Sequence, residues 1–126
     1  MIHQSTLTRK GIEMLDNHIP THTNVLHLPD FDVTFVCFVL PPDIARLTEK
    51  AFLVGDFNGW DQTSDPMAST NDADQITLVM ELDKGKEYQY RFLVITKDGN
   101  KEWHNDWHAD SYRTNPFGGD NSVIHT

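Results

Sequence analysis

Glu87-Tyr88-Gln89-Tyr90-Arg91-Phe92-Leu93-Val94-Ile95 decides the fold class of this chain. Tyr88, Tyr90, Phe92 and Val94 fall on one face of an extended segment, and Gln89, Arg91 and Leu93 fall on the other. That period of two belongs to a β-strand with one face turned inward. Its aromatic and β-branched side chains suit a pleated surface. Asp83-Lys84-Gly85-Lys86 ahead of it and Lys97-Asp98-Gly99-Asn100 behind it are turn sequences, so the strand is one of a series joined by short connections.

The same pattern extends in both directions. Upstream, Ile76, Leu78, Met80 and Leu82 alternate with Gln75, Thr77, Val79 and Glu81. Val33-Thr34-Phe35-Val36-Cys37-Phe38-Val39-Leu40 is a nearly continuous apolar run stopped by Pro41-Pro42, which favours a buried strand over a helix. Ala51 to Asp56 forms another strand, closed by Asn58-Gly59, a pair suited to turns with positive φ. Downstream, Glu102-Trp103-His104 and Ser122 to His125 supply two more. Roughly six short strands at this spacing predict an all-β, immunoglobulin-like β-sandwich over residues 32–126.

Residues 1–31 differ in character and are read as an N-terminal extension. They hold four of the seven histidines and no tryptophan. Leu7, Met14 and Leu15 suit a short helix over residues 6–18, which Gly11 interrupts. His22 to Leu28 suits a strand or an extended arm, and Pro29-Asp30 marks a break.

Length and charge narrow the function. With 126 residues the chain fits one domain and is too short for a (β/α)8 barrel of about 250 residues. Nineteen acidic residues against ten Lys and Arg, a net charge of -9, argue against nucleic acid and anionic membrane surfaces, which need clustered cations. The single cysteine, Cys37, excludes an intramolecular disulfide and a cysteine-based zinc site, and its apolar surroundings make it a small buried hydrophobe. No run reaches the length of a membrane helix, and Met1-Ile2-His3-Gln4-Ser5 does not open a signal peptide, so a cytoplasmic location is expected. No cofactor is expected.

Three tryptophans are the informative surface candidates. Trp60 follows Asn58-Gly59, Trp103 follows the Asp98-Gly99 turn, and Trp107 lies in a polar segment between strands. A tryptophan beside a turn offers a flat apolar face and a polar N–H, suited to stacking on the C–H face of a sugar ring while neighbouring polar groups meet its hydroxyls. It can equally plug the end of a sandwich. The two roles weigh evenly for Trp60 and Trp103, whereas packing is favoured for Trp107.

Four motifs in order then carry a resemblance. They are Val54-Gly55-Asp56-Phe57-Asn58-Gly59-Trp60, the stretch from Lys84 to Val94, Trp103-His104-Asn105-Asp106-Trp107-His108-Ala109-Asp110, and the stretch from Asn115 to Ile124. Over residues 32–125 the chain resembles the early-set domain at the N-terminus of isoamylases and glycogen branching enzymes. It also resembles the glycogen-binding domain of the AMP-activated protein kinase β subunit. These are grouped as carbohydrate-binding module family 48. The resemblance implies a non-catalytic module for an α-glucan such as glycogen or a maltooligosaccharide. It implies that Trp60 and Trp103 stack on glucose units, that Arg91 and Asn121 contact hydroxyls, and that Phe117 takes a position held by leucine. Arg91 stands where the kinase-type domain has lysine, Trp107 where it has proline, and the segment Ile95 to Lys101 is longer than the usual turn. Within the motif, Gly59 serves the turn and Phe57 the core.

Other functions compete with this one. His104, Asp106, His108 and Asp110 would share a face of an extended segment and form a possible ligand set for a divalent ion, though solvated polar residues are the favoured reading. Glycoside hydrolysis needs two carboxylates flanking a sugar, and nothing singles out Asp56, Asp106 or Asp110 for that role. No nucleophile-elbow motif is present. The alternative class is a structural or protein-interaction module that associates with itself or with a separate glycogen-metabolising enzyme.

Overall fold

The computed structural model describes residues 21–69 and 75–126, so the helix expected over 6–18 lies outside the described residues. In chain order the elements are β1 (Asn24–His27), β2 (Val33–Val39), the one-turn helix α1 (Pro42–Ala45), β3 (Thr48–Gly55), a 3-10 turn (Asp56–Asn58), β4 (Ala68–Ser69), β5 (Ile76–Asp83), β6 (Glu87–Thr96), β7 (Lys101–His104), β8 (Ser111–Thr114) and β9 (Asp120–His125). They form two antiparallel sheets. One runs β1-β2-β5-β4. The other runs β3-β6-β9-β8, with β7 also paired to β6. The expected all-β, immunoglobulin-like sandwich is the fold.

The core lies where period-two alternation turns side chains inward. Cross-strand register places Leu53 opposite Phe92 and Ala51 opposite Val94, while Val36 and Phe38 face them from the other sheet. Tyr90, Phe92 and Val94 are fully buried, as the alternation of β6 requires. Phe38 meets Tyr90 edge to face with centroids 5.0 Å apart, and Phe57 tilts against Phe38 at 5.7 Å, closing one end. Such aromatic pairs add about 0.5–1.5 kcal/mol beyond the area they bury.

Pro41-Pro42 ends β2 as expected and also begins α1, with a proline in the first helical turn where the missing N–H is harmless. The strand expected from Ala51 begins earlier, at Thr48, with an irregularity in register between Thr48 and Lys50. β4 and β8 were not expected. All four residues of β8 are exposed, so no apolar alternation marks it.

β1 falls inside the stretch 1–31, where it pairs with β2, Asn24 opposite Cys37 through His27 opposite Thr34. Thr23 just ahead of it links the two sheets. Its hydroxyl accepts a hydrogen bond from Val39 N (3.1 Å) and donates to the carboxylate of Asp106. Asp106 is 1% exposed and also accepts from the Tyr90 hydroxyl (2.8 Å) and from His108 N (3.0 Å), while its own N–H donates to the Ser122 hydroxyl. A buried carboxylate is tolerated when donors surround it in this way. Burial, and then the negative charge of Asp106, push the Tyr90 phenol far above its usual range.

Candidate functional site

The groove on the outer face of the second sheet is built around one loop and one seam. The loop is Gly55-Asp56-Phe57-Asn58-Gly59-Trp60. Asn58 organises it: its side chain accepts from Gly55 N (3.1 Å) and donates to Leu53 O (2.9 Å) and to Asp65 (2.7 Å). Gly55 is needed because a Cβ there would lie 2.5 Å from the Gln89 carbonyl oxygen and 2.8 Å from Tyr90 Cβ. Gly59 and Trp60 both adopt left-handed backbone, with φ of 63° and 61°, and Trp60 N donates to Gly55 O (2.9 Å). A bulky residue there is strained, and strain of this kind gathers at functional positions. Asp56 then fixes the ring: its Oδ1 accepts from Trp60 Nε1 at 3.0 Å and its Oδ2 from Gln89 N at 2.8 Å. The turn continues past Trp60 through Asp61, whose carboxylate accepts from Thr63 N (2.9 Å) and Ser64 N (3.1 Å). The Thr63 bond leads in holding that carboxyl below its ordinary value.

The seam lies along β6. On one side β6 pairs with β3 from Tyr90 to Thr96. On the other side it pairs first with β9, as far as Tyr90 opposite Ser122, and then with β7, from Phe92 opposite His104. Arg91 stands at the change of partner. Its guanidinium lies 5.9 Å from the centroid of the Trp103 ring, within cation–π range. Beyond the seam, a relay of amides runs outward. Asn121 Nδ2 donates to Gln89 Oε1 (3.1 Å), Asn115 Nδ2 donates to Asn121 Oδ1 (3.0 Å), and Phe117 N donates to Asn115 Oδ1 (2.8 Å). Phe117 projects from the tip of the β8–β9 turn, 95% exposed.

All five expected site residues, Trp60, Arg91, Trp103, Phe117 and Asn121, line this one groove of about 580 Å³. Trp103 is 36% exposed and Trp60 partly exposed, so both rings are accessible. Sequence reasoning missed Gln89, Gln62 and Asn115, and had considered Asp56 only as a hydrolytic acid. Gln89 was discoverable, since it shares the face of Arg91 by alternation. The others depend on how loops close, which periodicity does not encode.

Two expectations are corrected. Trp107 does not pack. It is 54% exposed and outside the groove, because Asp106, the residue before it, is the one turned inward to anchor the loop. Residues 105–110 form a turn, not an extended segment, and of the four side chains read as solvated in preference to metal ligands Asp106 is buried instead. His104 bonds to Glu102 (2.8 Å), Asp106 is buried in its own network, His108 stacks on His22 at 4.5 Å, and Asp110 accepts from His125 N (2.8 Å). Among the described residues, no three His, Cys, Asp or Glu side chains are grouped to hold a metal. Among the same residues no helix is long and apolar enough to cross a membrane.

An early-set sandwich whose open sheet face holds aromatic rings around amides and a guanidinium has the construction of a carbohydrate-binding module. The profile of carbohydrate-binding module 48 (isoamylase N-terminal domain) matches residues 45–113, more than half of the chain, and the chain belongs to that family. The match takes in Trp60, Arg91 and Trp103, whereas Phe117 and Asn121 lie beyond it. No curated protein matches the chain. The partner class that the family defines is a carbohydrate.

Proposed function

We propose that the chain is a non-catalytic, cytoplasmic module that binds an α-glucan, either glycogen or a maltooligosaccharide, through this groove. The binding unit is the sandwich of residues 32–126 together with β1 (Asn24–His27), which lies in the stretch 1–31 and completes the first sheet. Trp60 and Trp103 stack on glucose rings, Arg91 and Asn121 hydrogen-bond to hydroxyls, and Phe117 packs against a further ring face. The observation that supports this most is the convergence of those five side chains, from four separate stretches of chain, on one groove. Rings supply apolar faces for the C–H side of a pyranose, and the amides and guanidinium between them supply fixed polar contacts. Catalysis lacks the required pair of acids: Asp56 is the sole carboxylate among the described residues lining the groove, and both its oxygens are already engaged.

The test is titration with maltoheptaose followed by tryptophan fluorescence, together with retention on a glycogen affinity gel. Cellohexaose serves as the β-linked control. Trp60→Ala and Trp103→Ala are each expected to weaken binding about tenfold or more, the scale of a buried aromatic contact of ~1.4 kcal/mol or above. A reducing-sugar assay on the purified chain is expected to stay at background. Unchanged fluorescence and no retention by the wild type would overturn the reading.

A further inference from the structure

We infer that the groove selects a phosphorylated α-glucan, one carrying a phosphate monoester on a glucose unit, over the neutral polymer. This rests on the proposed glucan binding and specifies its substrate class. The observation is a cation left without a partner in a groove whose other polar side chains are paired with one another. Every side-chain oxygen of the groove accepts one hydrogen bond and keeps a further lone pair. Asp56 takes Trp60 Nε1 and Gln89 N, Gln62 Oε1 takes Lys101 Nζ, Gln89 Oε1 takes Asn121, Asn121 Oδ1 takes Asn115, and Asn115 Oδ1 takes Phe117 N. Trp60 Nε1, Asn121 Nδ2 and Asn115 Nδ2 are the donors in three of these bonds, whereas the guanidinium is in none. Arg91 makes no hydrogen bond or ion pair with any described residue, and its Nε is buried without a partner. Gln89 Nε2 and Gln62 Nε2 are likewise unused among the described residues.

A glucose hydroxyl can accept from the guanidinium but brings it no countercharge. A phosphate monoester offers acceptor oxygens and a negative charge, the complement of an unpaired guanidinium fork. Arg91 is held for such a contact by Trp103 beneath it and by the seam, where no strand pairs beside it on that side. The Asp56 carboxylate, tied to Trp60 Nε1 and Gln89 N, repels an anion on its own side of the groove, and the protein's net charge of -9 opposes one at long range. That repulsion is screened beyond about 8 Å at physiological salt, whereas a direct contact with Arg91 is not.

The experiment compares maltoheptaose, maltoheptaose carrying one 6-phosphate, glucose 6-phosphate and inorganic phosphate, by calorimetry at low and at physiological salt. The phosphorylated oligosaccharide is expected to bind about tenfold tighter than the neutral one, the advantage of a charge-assisted over a neutral hydrogen bond. That ratio should shrink with salt, fall to near one in Arg91→Gln, and take an intermediate value in Arg91→Lys, which keeps the charge but not the fork. Near-native circular dichroism spectra of both variants confirm that the ratio reports binding. Equal affinities for the two oligosaccharides in the wild type would overturn the inference and leave glucan binding standing. Failure to bind either one would overturn glucan binding and the inference with it. Inorganic phosphate binding as tightly as the phosphorylated oligosaccharide would also overturn it, by reducing the site to an ion site.

Discussion

Asp56 is the residue whose removal separates holding the tryptophan platform from being part of it. Its two carboxylate oxygens take Trp60 Nε1–H at 3.0 Å and Gln89 N–H at 2.8 Å. Asp56→Ala loses both bonds at an exposed position where water replaces them, a stability cost of about 1–2 kcal/mol. The backbone at Trp60 stays fixed by its own bond to Gly55 O. The indole, however, becomes free to change rotamer. Immobilising one such side chain on association costs about 0.5–1.5 kcal/mol, so maltoheptaose should bind about two- to tenfold more weakly. Trp60→Phe provides the control, since it keeps a ring face and lacks the N–H that Asp56 holds. In that background Asp56→Ala should change the Kd by less than about twofold, giving a clear coupling in the double-mutant cycle. A second readout needs no ligand: the Trp60 Nε1–H proton resonance should shift in Asp56→Ala and return toward its original position in Asp56→Asn, which retains an acceptor. An equal loss of affinity in both backgrounds would refute the reasoning and place the effect of Asp56 in its bond to Gln89.

Three further outcomes follow from the packing. Tyr90→Phe removes one donor from the buried Asp106 carboxylate and should destabilise the fold by about 1.5–3 kcal/mol in urea titration, while leaving the affinity of the groove on the opposite sheet face unchanged. Gly55→Ala places a Cβ 2.5 Å from the Gln89 carbonyl oxygen and 2.9 Å from the Phe57 ring, forcing β3 from β6; a loss of about 3 kcal/mol or more is expected in thermal or urea unfolding. The Cys37 thiol is pushed up by burial, from 9.0 to about 11. From pH 9 to 11 the unfolded chain therefore gives up a proton that the native state keeps, and stability falls as pH rises, by about 2–3 kcal/mol over those two units. Urea midpoints at pH 8.5 and 10.5 should show a smaller drop for Cys37→Ala than for the wild type, with the buried Tyr90 phenol supplying part of the remainder above pH 10.

What was legible in the sequence is what a strand repeats. The alternation of β6 assigned Tyr90, Phe92 and Val94 to the core and Arg91 to the outer face, and the register bears out each position. Leu93, on the same face as Arg91, is nevertheless buried, because Phe52 and Trp103 flank it across the neighbouring strands. What was not legible depends on closure in three dimensions. The inward turn of Asp106 is set by Thr23, 83 residues away, and by Tyr90, so nothing local in Asn105-Asp106-Trp107 says which of the three is buried. Trp107 looked like the packing residue on size alone, yet a carboxylate with enough donors took the interior position. The short β8 carries Ser111-Tyr112-Arg113-Thr114 with no buried position, and its pairing with β9 reflects the turn at Gly118-Gly119, both glycines with positive φ.

The site and the fold come from one specification. Ten residues of β6 serve two partners on the same side, β9 up to Tyr90 and β7 from Phe92, and the residue between them is the cation of the groove. Slipping β6 by one residue against β3 would bring Tyr90 and Phe92 into the groove and drive Arg91 into the core, where an unpaired guanidinium is prohibitive. The same packing that holds the inner face in register therefore places Arg91 between Trp103 and Asn121 on the outer one. Phe57 extends the coupling to the loop: it packs against Phe38 and Tyr90 inside while the next three residues turn Trp60 outward over the sheet. Loosening of the core at Phe57 should therefore reach the groove through Trp60 before it reaches Trp103. Trp103 is held by its own strand pairing to β6 and does not depend on that loop.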